Sequence, residues 1–187
     1  EVSDAKMGLP GADIDWKTRR KNMEDVCRAC HSQPYVDSFY IQYDSLIEEY
    51  HTKFADPGLK LMELAQPLLK PVKFGNKIDF IWFELWHHEG RRARHAASMQ
   101  GPDYTHWHGT YEIAKHFYMK FVPELEHLIE GGMAGDADQQ AAAQALKQGL
   151  DEVLNSEEHR WFLGKMSDEE KAERDKRAKE FKERYVK

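Results

Sequence analysis

Apolar residues recur at three- and four-residue spacing along most of this chain, which predicts helices and leaves no period-two stretch to suggest a strand. Residues 1–15, with Gly8, Pro10 and Gly11, read as an extended arm. A helix is predicted from Trp16 into Cys27–His31, broken by Pro34. Phe39, Tyr43, Leu46, Ile47, Tyr50 and Phe54 give the next helix an aromatic face, and Pro57-Gly58 is expected to end it. A short helix over 59–66 precedes a loop marked by Pro67, Pro71 and Gly75. Residues 78–99 read as one long helix interrupted only by Gly90, followed by a turn at Gly101-Pro102-Asp103. Tyr111, Ala114, Phe117, Tyr118 and Phe121 mark a helix that passes Pro123 and ends at Gly131-Gly132. Ala137–Leu154 is alanine-rich and helical, and Ser167 with Glu170 forms a capping-box pattern before a highly charged last helix. That helix, whose apolar positions are Ala172, Ala178, Phe181 and Tyr185, reads as a solvated surface helix. The pattern is all-α. It divides into the arm 1–15, a helical domain 16–132, and alanine-rich and charged helices over 133–187.

The chain has 187 residues, enough for a sizeable core, and a formal charge of −6. Its Lys/Arg runs alternate with Glu and Asp, so a nucleic-acid partner is not expected. No apolar stretch is long enough to span a membrane. With neither an initiator methionine nor a signal peptide, the chain reads as a mature or cut product.

Both cysteines lie in Cys27-Arg28-Ala29-Cys30-His31, the C-x-x-C-H pattern of covalent haem c attachment. Two thiols three residues apart on one helical turn can each add to a vinyl group of one porphyrin. The following histidine then becomes the proximal iron ligand. A redox dithiol would need a strand-helix-strand setting, and a zinc site two further ligands. Haem c is the leading reading, and it places the chain in an exported, periplasm-like compartment.

One haem iron needs His31 and at most one further ligand, yet nine other histidines are present. Five of them (His87, His88, His95, His106, His108) fall between residues 87 and 108. His88 and His95, seven apart, share a side of a continuous helix. Trp82, Trp86 and Trp107 accompany Arg91, Arg92 and Arg94, a mixture suited to porphyrin faces and propionates. The plainer alternative is an aromatic core with an arginine-rich outer face. Asp103 with His106 or His108 can be read as a proton relay or as capping and packing residues.

Phe83-Glu84-Leu85-Trp86-His87-His88-Glu89-Gly90-Arg91-Arg92-Ala93-Arg94-His95, then Gly101-Pro102-Asp103-Tyr104 and Trp107-His108-Gly109, resembles the C-terminal region of the octahaem hydroxylamine oxidoreductases. The likeness continues through Tyr111-Glu112, Ala114–Tyr118 and Pro123-Glu124-Leu125, and upstream through the haem motif and Phe39–Asp44. It covers most of residues 12–132 and is loose in the tail. The resemblance implies a helical, trimer-forming multihaem cytochrome c in which a tyrosine from a neighbouring subunit is bonded to a five-coordinate catalytic haem. Cys27, Cys30 and His31 match the last haem site. His95 matches a late distal iron ligand, of this or another haem, with His88 as second choice. Tyr104 is the first choice for the cross-linking tyrosine and Tyr111 the second.

The family carries eight haem motifs and this chain one. The resemblance therefore implies a split subunit or a fragment, with the remaining haems c, the catalytic one included, on partner chains of a trimer-based hetero-oligomer. Such a complex would oxidise hydroxylamine or hydrazine and hand electrons to a soluble acceptor. The alternatives are a reductive relative acting on nitrite or hydroxylamine, and a stand-alone monohaem electron carrier. The surplus histidines and the lack of an obvious axial methionine weigh against the last.

Overall fold

The computed structural model describes residues 14–185, so the arm read over 1–15 lies almost wholly outside the described residues. All regular elements among the described residues are helical. The chain divides into two compact units, Glu1–Ile47 and Glu48–Lys187. The division falls inside a helix, where composition carries no signal.

Unit one holds α1 (Trp16–Cys27) and most of α2 (Gln33–Tyr50). Asp15 caps α1 by accepting the Thr18 N–H at 2.9 Å. Beyond Cys27 the backbone tightens: Ala29 N–H donates to Val26 O and Cys30 N–H to Cys27 O, both at 3.2 Å. Pro34 occupies the first turn of α2, where a missing N–H leaves no helical bond unmade. Arg20 grips Asp44 with both guanidinium nitrogens, at 2.6 and 2.8 Å, and lies over the rings of Trp16 and Tyr40. Val36 is the one fully buried apolar side chain among the described residues of this unit.

Unit two has its own core. Leu61, Ile78, Leu85, Ile113, Phe117, Phe121, Leu125 and Leu146 are all but inaccessible. They come from α3 (Asp56–Ala65), α4 (Lys77–Phe83), α7 (Tyr111–His116), α8 (Val122–Met133) and α9 (Ala137–Asn155), and from the turns between them. The short α5 (Gly90–Ser98) and α6 (Pro102–Thr105) complete the histidine-rich region. The alanine-rich α9 packs on α8 and α3, so it belongs with the core of this unit. The charged α10 (Asp168–Tyr185) buries no side chain, and Ser167 and Glu170 exchange the expected reciprocal capping bonds.

Among the described residues, four π turns distinguish the fold from the regular helices expected. They span His51–Ala55, Glu84–Glu89, His106–Thr110 and Phe117–Phe121. Two of them precede prolines, and one corrects the reading of Pro57-Gly58. Pro57-Gly58 does not end its helix; the chain runs on to Ala65. An interior proline removes a ladder bond and crowds the carbonyl four residues back. Here the preceding π turn has already displaced the ladder, with the Asp56 N–H reaching back to His51 O. Pro123 follows the same device, after Val122 N–H bonds to Phe117 O. The other two π turns lie at close approaches. A side chain at Gly90 would strike the Tyr50 hydroxyl, and a Cβ at Gly109 would stand 2.7 Å from Ala93 Cα. The expected turn at Gly101-Pro102-Asp103 is a helix start, with Gly101 as N-cap and Pro102 as first residue.

Candidate functional site

The haem-attachment pattern sits where α1 unwinds. The Cys27 carbonyl accepts N–H bonds from Cys30 and His31, at 3.2 and 3.0 Å, so both cysteines occupy one turn. Both thiols are free; Cys27 is half-buried, and Cys30 and His31 are exposed. The His31 ring stacks on Tyr35 at 4.6 Å. Burial raises the Tyr40 phenol above its ordinary value, helped by Cys27 and Glu24 and opposed by Arg20. Met23 and Val26, beside the cysteines, are 55% and 69% exposed. A pair of uncommitted thiols, a histidine open to axial ligation and adjacent apolar surface together fit a covalently held porphyrin. A zinc site would need a cluster of ligands. Among the described residues no group of three or more His, Cys, Asp or Glu side chains is arranged to hold a metal ion.

In unit two, the π turn Glu84–Glu89, α5 and the start of α6 enclose an open pocket of about 500 Å³. His87, His88, Arg91, Arg92, His95 and Tyr104 line it. His88 and His95, paired by their spacing in the sequence, and Tyr104 therefore share one site. Tyr111 is not among the lining residues; its ring packs edge-on against Trp107 at 5.8 Å. His106 also packs on Trp107, at 4.6 Å, and the Tyr104 ring lies 4.9 Å from His108.

The three pocket histidines are not equivalent. His87 stacks on Phe83 at 4.4 Å, and its Nε2 lies 3.2 Å from the Arg91 guanidinium. Arginine can only donate, so that nitrogen accepts and the proton sits on Nδ1. Burial, with Arg91 and His88 nearby, holds His87 below its ordinary value. His88 and His95 are exposed and have no side-chain hydrogen bond among the described residues, which leaves their nitrogens available. Arg92 is bound to Glu112 at 3.0 Å, leaving Arg91 as the pocket guanidinium without a carboxylate partner among the described residues.

Two further polar groupings have no signal in the sequence. The Tyr118 hydroxyl lies 2.7 Å from Nδ1 of His159, 41 positions away and wholly buried. The His116 ring stands between two carboxylates, with Nδ1 2.9 Å from buried Glu89 and Nε2 3.5 Å from Glu84. On a regular helix residues five apart point about 140° from each other. The π turn swings Glu84 and Glu89 onto one imidazole.

No family model, no curated protein and no solved structure matches the chain.

Proposed function

We propose that this chain is the haem c-bearing subunit, or the C-terminal part, of a hydroxylamine oxidoreductase-like multihaem complex that oxidises hydroxylamine or hydrazine at a partner-borne haem. Cys27 and Cys30 would hold one haem through thioether bonds, with His31 as proximal ligand. The haem, when bound, supplies one-electron transfer toward a soluble acceptor. His95, with His88 as second choice, would ligate the iron of this or a neighbouring haem. Tyr104, with Tyr111 as second choice, would meet the catalytic haem.

The observation that carries the reading is the convergence of His88, His95 and Tyr104 on one open pocket with an acid-free Arg91 at its side. An isolated electron carrier has no use for this second set of iron-binding groups. Arg91 suits a propionate, because a guanidinium and a carboxylate form paired charged hydrogen bonds.

A pyridine haemochrome titration of the native particle tests the proposal. More than one haem per copy of this chain is expected. One haem per copy favours the monohaem carrier instead. A multihaem particle with both tyrosines unbonded favours the reductive relative.

A further inference from the structure

Between α3 and α4, in unit two, the chain forms a loop that is closed at its neck and apolar at its tip. The Asn76 side chain accepts the Lys70 N–H at 2.9 Å and donates to the Lys70 carbonyl at 3.1 Å. Inside that neck the Val72 carbonyl accepts the Gly75 N–H at 2.9 Å, and Pro71 removes further backbone freedom. Every residue from 71 to 75 is exposed, Val72 at 63% and Phe74 at 49%.

Phe74 holds φ at +55°, in the left-handed region that a bulky side chain enters only at a cost in energy. Glycine or asparagine is the ordinary occupant of such a position. Burial does not offset the cost here. The Phe74 ring meets Phe80 at 5.1 Å and Phe83 at 5.5 Å, yet Phe80 is itself 55% exposed. These contacts order two phenyl rings side by side in solvent. Cations flank them. Lys70 and Lys73 have no carboxylate partner among the described residues, whereas Lys77 at the base is paired with Glu124. Two unpaired ammonium groups beside an apolar tip stand out in a chain of net charge −6.

We propose that this loop docks on an anionic lipid surface. Val72, Phe74 and Phe80 enter the headgroup boundary, while Lys70 and Lys73 lay their apolar stems along the same surface and place their charges among the phosphates. Two observations favour a bilayer over a protein partner. A stable protein interface buries about 800 Å² on each side, far more than the tip at 71–75 presents. Lysine is also depleted at protein interfaces, whereas each lysine near an anionic leaflet strengthens binding on the order of fivefold. The contact is peripheral, since no helix among the described residues is long and apolar enough to cross a membrane. No residue assigned to a haem takes part, so the proposal stands apart from the functional reading above.

Flotation of the full chain with vesicles tests this, comparing equal parts of phosphatidylglycerol and phosphatidylcholine with phosphatidylcholine alone. Binding to the anionic vesicles is expected, falling as salt rises. Phe74→Asn should weaken it about fivefold, the effect of withholding half a phenyl ring from the boundary. Asparagine tolerates a positive φ, so the urea midpoint of this variant should hold or rise, which separates lost binding from lost folding. Lys70→Gln and Lys73→Gln should each weaken binding on the order of fivefold, and the double variant should flatten the salt dependence. A wild-type chain that stays off both vesicles overturns the proposal, as does equal binding to the neutral ones. Binding that survives Phe74→Asn also overturns it, and so does a Phe74-dependent self-association without lipid, which would mark the tip as a protein interface.

Discussion

The Tyr118 hydroxyl and Nδ1 of His159 share a hydrogen bond of 2.7 Å, joining the π turn Phe117–Phe121 to the segment after α9. Both rings are buried, among Phe54, Phe117 and Phe162. Burial pushes the phenol up to about 12, so it stays protonated beside the imidazole.

Removing this hydroxyl leaves a buried imidazole nitrogen without its hydrogen-bond partner. Tyr118→Phe should destabilise the chain by about 1–3 kcal/mol. Urea denaturation at pH 8 checks this, with a lower midpoint and an unchanged slope expected.

The same pair sets an acid limit. Burial holds His159 below its ordinary 6.5, with the Lys53 carbonyl acting in the opposite direction. The unfolded chain therefore takes up a proton at a higher pH than the folded one. His159 leaves stability intact above about pH 6.5, and stability falls as pH drops from there through the lower folded value. Denaturation midpoints of wild type and His159→Phe across pH 8 to 5 should converge on the acid side.

Burial, with Arg91 and His88 beside it, holds His87 below its ordinary value, and the Arg91 guanidinium lies 3.2 Å from its Nε2. Arg91→Gln should raise the His87 titration midpoint toward the ordinary histidine value. A proton NMR titration of the ring resonances reads the change, and an unmoved His87 contradicts the assigned contact.

Gly109 lets the turn His106–Thr110 lie directly against α5. A Cβ there would stand 2.7 Å from Ala93 Cα, which is backbone and cannot turn aside. Gly109→Ala should destabilise by about 1–3 kcal/mol, a Tm loss of several degrees in a domain of this size.

Much of the helical layout is visible in the residue pattern, for a local reason. Asp15, Ser167 with Glu170, and the run from Ala137 are each read from a few neighbouring side chains, and the helices start or stop there. Pro57 misleads because the compensation lies in backbone bonding, in the π turn before it, whereas the helix passes Pro123 as its pattern predicts. The shared pocket of His88 and His95 follows from their spacing even though a π turn intervenes, and Tyr104 joins them through the sharp helix start at Gly101-Pro102. Glu84 and Glu89 meet His116 only through the altered register of the π turn, and Tyr118 meets His159 only through tertiary packing. Neither relationship has a periodicity that a sequence can display.

Tyr104 is half exposed at the rim of the pocket, with its ring against His108 and no side-chain hydrogen bond shown for its hydroxyl among the described residues. Peptide mapping of the native complex should find the Tyr104 peptide joined to a haem-bearing peptide of a partner chain. Tyr104→Phe should abolish the joined species while leaving the haem on Cys27 and Cys30.

Native mass spectrometry with haem counting, applied to the particle purified with this chain, tests the central claim most directly. The account predicts a hetero-oligomer in which this chain carries one haem and partner chains carry several more. A particle made of this chain alone, with one haem per copy, would contradict it.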